Sequence, residues 1–202
     1  MKKCITIVIL LLSFKNFAQN DAKAAFQKNK YDLAVSHYKK AEFTKALDVF
    51  SLAYKINPEN ELGKESMKKI DTLKIVLRKD FTSKITGTWK YTGDKPSWAV
   101  NQEENTSFIK LIEVTENQIM FYEQDKKTKV KKLIKTEQLV FYNKDKSDPL
   151  YSAIILSNGR VWLCSIDEAS KTLHVINIAE ENQNGVQKID SDNQERFYTK
   201  EL

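Results

Sequence analysis

The sequence predicts an α+β chain, helices first and antiparallel strands second, and three observations carry that prediction. From about Lys23 to Arg78 the apolar residues recur at helical spacing, with no glycine before Gly63 and Pro58 as the only proline. After Asp80 the texture changes to short runs of isoleucine, valine, phenylalanine, tyrosine and tryptophan separated by turn-forming clusters. Within that second half, Ser157-Asn158-Gly159-Arg160 marks a tight hairpin, because Asn-Gly supplies the two positive φ angles that a two-residue turn requires.

The start of the chain reads as a secretory signal over residues 1–19. Lys2 and Lys3 form a basic start, Ile5 to Leu12 an apolar run, and Phe17-Ala18-Gln19 a small-residue exit, with Lys15 close behind the run. The run is too short to span a bilayer, and Cys4 precedes it, which misplaces that residue for lipid attachment. An exported protein, periplasmic or secreted, is expected. Removal of the segment takes Lys2, Lys3 and Lys15, leaving 30 of the 33 basic residues against 27 acidic ones, a net of +3. So small an excess gives no support to nucleic-acid binding. Cys164 would then be the single cysteine, so no intramolecular disulfide is expected and packing must hold the core. At 41% hydrophobic residues, the composition supports one.

Residues 20–80 form the helical segment. One apolar stripe runs through Phe26, Leu33, Ala34, His37, Tyr38 and Ala41, a second through Leu47, Phe50, Ala53 and Tyr54, and a third through Leu62, Met67, Ile70, Leu73 and Leu77. Asn57-Pro58 stops the second helix, since proline disfavours helical backbone in the residue before it. Leu33, Ala34, Phe43, Ala46, Leu47, Phe50, Ala53 and Pro58 occupy pattern positions of a helix-turn-helix unit, and residues 27–60 resemble a single tetratricopeptide repeat. Lys30 stands where that pattern has a tryptophan, and Tyr31, Ala34, Tyr38 and Ala41 partly fit a frame shifted by twelve residues. The resemblance implies antiparallel helices, one repeat plus one further helix, and a protein-docking surface made by Leu33, His37, Phe43, Phe50 and Tyr54. Such a unit cannot cover its apolar face alone. The third helix, the β domain or a second copy in a homodimer through the helices would have to do so. A three-helix packing element without any ligand fits the same residues.

Residues 81–202 carry eight candidate strands: 86–92, 107–114, 118–124, 129–142 (as one strand or split in two), 150–156, 160–166, 172–178 and 194–200, with a polar loop over 180–193. Ile85-Thr86-Gly87-Thr88-Trp89-Lys90 resembles the opening strand of lipocalin and fatty-acid-binding barrels, and Arg196-Phe197-Tyr198 is similar to the last strand of the intracellular lipid-binding members. The resemblance implies a closed, antiparallel, eight-stranded lipocalin-like β-barrel, first strand beside last, with an arginine over an indole near the seam. It also implies a ligand site at Trp89, Arg196 and Tyr198; Trp98, next to Pro96 in a polar loop, would guard the mouth of such a cavity or tuck into the helices. Arg196 and Tyr198 would meet a ligand carboxylate, or else seal the barrel end. Only Gly93 to Thr106 separate the first two strands, which leaves little room for the helical lid of the lipid-binding members.

No cofactor or metal is expected. The two histidines, His37 and His174, and one remaining cysteine lack the spacing of a four-ligand zinc site, and no phosphate-binding glycine loop is present. Cys164 with His174 across a hairpin is the one nucleophile and base pair to name, and no third group orients it. The lysines at 126, 127, 129, 131, 132 and 135 mark an anionic partner or a strand edge kept from pairing. The expected function is non-enzymatic: an exported binding or scaffolding protein that meets an envelope or extracellular protein through the helices. The alternative is a carrier of a small apolar acid or lipid in the barrel, and the third reading is an enzyme using Cys164 and His174.

Overall fold

The computed structural model describes the backbone over residues 2–95, 107–189 and 195–201, and within these the side chains from 21 onward except at 94 and 95. The described chain is α+β, with α1 (Lys2–Lys39), α2 (Phe43–Ile56) and α3 (Glu61–Ile85) followed by ten strands. It divides into two compact units, one of residues 1–77 with 145–149 and one of 78–144 with 150–202. Among the described residues no helix is long and apolar enough to cross a membrane.

In the helical unit, α1 and α2 form an antiparallel hairpin. Tyr31 meets Phe50 edge-on at 5.5 Å and Tyr38 tilts against Phe43 at 5.6 Å, so positions that rise along one helix meet positions that fall along the other. Ala34, Ala46 and Ala53 are fully buried, and their small side chains let the backbones approach while Leu47 and Phe50 fill the space. The first helix ends at Lys39 and not at Ala41. Ala41 has φ +58, its amide donates to the Tyr38 carbonyl at 3.0 Å, and the Glu42 amide donates to the His37 carbonyl at 3.0 Å. This is the left-handed C-terminal cap that usually takes glycine, and it removes Ala41 from the apolar stripe expected of it.

A polar pin closes the other end of the hairpin. Buried Gln27 donates through Nε2 to the Ala53 and Asn57 carbonyls, at 3.0 and 2.9 Å, and to Asn60 Oδ1 at 3.1 Å. Asn60 returns a bond to Gln27 Oε1 at 2.5 Å and caps α3 by accepting the Gly63 amide at 2.8 Å. Gly63 is required by proximity, because a Cβ there would lie 2.2 Å from the Asn57 carbonyl oxygen. Residues 145–149 join this unit through Ser51 Oγ, which donates to the Ser147 carbonyl at 2.5 Å, and Lys74 Nζ, which donates to the Lys146 carbonyl at 2.9 Å.

The strands are β1 (Gly87–Lys95), β2 (Phe108–Val114), β3 (Gln118–Asp125), β4 (Lys131–Gln138), β5 (Val140–Phe141), β6 (Ala153–Ile155), β7 (Arg160–Asp167), β8 (Thr172–Asn182), β9 (Gly185–Lys188) and β10 (Glu195–Lys200). They make one antiparallel sheet in the order β4-β3-β2-β1-β10-β8-β7-β6-β5, with β9 pairing β8. First and last strands are neighbours, as expected. The closed eight-stranded barrel is corrected: among the described residues there are ten strands, and edge strands β4 and β5 form no ladder with each other. The reason lies in the chain at Leu139. One continuous stretch pairs with β3 up to Gln138 and with β6 from Val140, so the chain leaves one edge of the sheet and enters the other without pairing across.

The sheet nonetheless curls steeply. Phe121 on β3 and Trp162 on β7 lie five strands apart, about 24 Å along a flat sheet, yet their rings are 6.0 Å apart. The inner face carries Trp89, Ile112, Ile154, Trp162, Val175 and Tyr198, joined by Phe81 and Ile85 from the end of α3. The third helix thus runs past Asp80, where strand texture was expected to begin, because Phe81 and Ile85 extend its apolar stripe by one more turn.

Two turns also differ from expectation. At 157–159 only Gly159 has positive φ, +83. The Gly159 amide bonds the Leu156 carbonyl at 2.9 Å and the Leu156 amide bonds the Arg160 carbonyl at 2.9 Å. That is a three-residue loop with a left-handed glycine in place of the two-residue turn. The polar segment 180–193, expected as a loop, instead extends β8 to Asn182 and turns back through Gly185 (φ +115) into β9. Polar side chains conceal a strand that has no buried face to reveal it.

Candidate functional site

The residues expected to hold a ligand come together on β1 and β10, but they are engaged with the fold. Tyr91 and Tyr198 face each other across the ladder, with rings 5.7 Å apart, and Tyr198 is buried in the core. Trp89 pairs in register with Lys200, not with Arg196. Its indole N–H donates to the Ile85 carbonyl at 2.6 Å, and Lys200 Nζ lies 5.2 Å from its ring centre while donating to the Lys84 carbonyl at 3.3 Å. Arg196 belongs to the level of Asp94, beyond the bulge between Tyr91 and Gly93, and its guanidinium lies 5.8 Å from the ring centre of Trp162. The expected cation over an indole therefore occurs twice, with other partners than those expected. Trp98 lies outside the described residues.

A pocket of about 280 Å³ opens where the last turns of α3 meet β7, lined among others by Asp80, Phe81, Lys84, Tyr151, Cys164 and Glu168. It falls short of the ~300–1,000 Å³ usual for small-molecule sites. Its cation is already neutralised: Lys84 Nζ lies 2.9 Å from Asp80 and 2.7 Å from Glu168, and hydrogen bonds to Glu168 and then Asp80 raise its pKa.

Cys164 and His174 sit on adjacent strands but on opposite faces. Cys164 pairs with Val175 while His174 pairs with Ser165, and side chains alternate along a strand. Cys164 is buried in the inner core, where burial pushes its thiol up to about 12. His174 stacks on Phe197 at 4.4 Å and shares a 3.0 Å hydrogen bond with Glu195. Among the described residues no cluster of histidine, cysteine or carboxylate groups has the make-up of a metal site.

The expected docking residues divide by burial. Phe50 is fully buried and serves the core, which corrects its assignment to a docking surface. Phe43 and Tyr54 are half-buried, and half-buried His37 bonds Glu42 through Nδ1 at 2.7 Å. Hydrogen bonds from Lys45 and then His37 hold the Glu42 carboxyl down at about 2. Leu33 is 41% exposed and Phe26, one helical stripe position earlier, 51%. Lys30 lies between them with its ammonium 5.0 Å from the Phe26 ring centre.

Sequence reasoning missed two groups of consequence. The Gln27–Asn60 pin had a partial signal, an asparagine before Glu61 with a small residue at the third helical position. Glu137 had none: it is 3% exposed, pairs with Lys135, and accepts the Ser157 amide at 2.9 Å and the Ser157 hydroxyl at 2.9 Å. No family model, curated protein or solved structure matches the chain.

Proposed function

We propose that the chain is an exported, non-enzymatic binding protein whose tetratricopeptide-like helical hairpin docks another protein of the envelope or exterior. The observation that carries this reading is the flank of α1, where Phe26 and Leu33 stay about half exposed beside the alanine-bearing face that α2 already covers. A helix with a second apolar stripe is suited to receive a partner helix in the way successive repeats stack. The antiparallel sheet then acts as a scaffold. A carrier role draws less support, because aromatic side chains pack together on the inside of the curl and the Arg196 guanidinium lies over Trp162.

The test is capture of partners from the envelope fraction by the tagged chain, with Leu33→Glu and Phe26→Glu as comparisons. A partner retained by the parent and lost from both variants, each with unchanged circular dichroism, supports docking through α1. Equal capture by all three proteins removes the helical surface from the reading. A co-purified lipid seen by native mass spectrometry and lost on Arg196→Ala would favour the carrier instead.

A further inference from the structure

We propose that the open edge of β4 accepts an extended acidic segment of a partner protein as an added strand, over Val130 to Ile134. Among the described strands β4 is the longest with only one neighbour, and an unpaired edge presents a row of backbone donors and acceptors. Which groups point outward follows from the ladder. The Asp125 amide bonds the Val130 carbonyl at 3.0 Å, so Val130 and, by alternation, Lys132 face β3, while the peptide groups of Lys131 and Leu133 face away. The irregularity opposite Phe121 and Tyr122 ends this stretch at Ile134, and beyond it Glu137 binds Ser157. The opening is therefore confined to the first half of the strand.

Side chains define the occupant. Residues 126–135 hold six lysines and no acid. Interleaved with them, Val130, Leu133 and Ile134 are 65%, 51% and 51% exposed. A second copy of β4 would set lysine against lysine, which is destabilising. A strand carrying two acidic residues opposite Lys131 and Lys132 and two β-branched residues opposite Leu133 and Ile134 satisfies charge, apolar surface and backbone together. A flat anionic surface would satisfy the lysines and leave the backbone groups unmet.

The experiment uses the full chain and a fluorescein-labelled ten-residue peptide with two β-branched residues followed by two glutamates at its centre, read by anisotropy. Binding is expected to weaken with added salt, and to weaken at least about tenfold in Lys131→Glu/Lys132→Glu. Leu133→Pro removes an outward amide without touching the β3 ladder, and it should weaken binding similarly while circular dichroism stays unchanged. In the parent, bound peptide should slow hydrogen exchange at Lys131 and Leu133. The proposal is overturned if the peptide does not bind at about 1 mM, the upper end of weak recognition. Undiminished binding to Leu133→Pro also overturns it, since charge alone would then suffice, as does binding of phosphatidylglycerol vesicles but not peptide. Dimerisation of the parent that is abolished by Leu133→Pro would assign the edge to a second copy instead.

Discussion

Ala41 and Gly159 both sit in left-handed backbone, and they make opposite predictions. At Ala41 the C-terminal cap of α1 is formed by a residue whose Cβ strains that conformation, at φ +58, on an exposed surface. Ala41→Gly should raise stability by about 0.5–1 kcal/mol, seen as a higher urea midpoint at an unchanged slope. At Gly159 there is no such latitude. A Cβ would lie 2.0 Å from the Glu181 carbonyl oxygen, beside the 2.8 Å bond from the Glu181 amide to the Gly159 carbonyl. Gly159→Ala should cost at least about 3 kcal/mol from strain and displaced pairing, measured by the same titration. The Asn-Gly dipeptide disclosed the place of this hairpin but not its loop, because what selects the three-residue form is the approach of β8, which no local sequence shows.

Among the elements, the helical hairpin was the most legible. Its alanines and aromatics lie at helical spacing and bury as that spacing predicts, with Phe50 in the core. Legibility failed at its edges, where polar side chains decide. Gln27 lies on a stripe that pattern reading assigns to apolar residues, and its worth depends on three acceptors far away in sequence. Gln27→Leu keeps the volume but takes from the Asn57 carbonyl its donor and from the Ala53 carbonyl, already bonded within α2, its second one, and should cost about 1–3 kcal/mol. Gln27→Glu should be worse at neutral pH, since it turns an oxygen toward oxygens. Thermal unfolding of both variants checks the order. Strand existence was likewise legible wherever one face is buried. The length of β8 and the presence of β9 were not, since their far ends alternate among polar residues with no buried face to set a period.

At the scale of the whole molecule, acid is the condition to which this chain should respond. Glu137 holds the unpaired seam, since it lies on β4 and binds the turn before β7 across the break at Leu139. Burial alone would raise its pKa, but Lys135 and the Ser157 amide and hydroxyl outweigh that and hold it below the ordinary carboxylate range. Glu42, tied to Lys45 and His37, and Asp125, Asp145 and Asp167, bonded mainly to turn hydroxyls and amides, are lowered as well. Asp48 is shifted the other way, raised by burial. A carboxylate lowered by folding adds stability that is complete above its unfolded value and disappears as pH falls through the folded one. Among the described residues, five such groups against one predict a urea midpoint that holds between about pH 7 and 5.5 and falls below about 4.5, where unfolded carboxylates begin to bind protons. Glu137→Gln keeps the side chain's shape, surrenders the charge-assisted bonds to Lys135 and Ser157, and should cost about 1–3 kcal/mol at pH 7. Its deficit should shrink in acid, where the parent protonates too. Hydrogen exchange should quicken first along β4 and β5, because each has a ladder on one side only. A deficit that stays constant from pH 7 to 3, or exchange that quickens evenly over the sheet, would show that Glu137 stabilises the strand it stands on and not the seam.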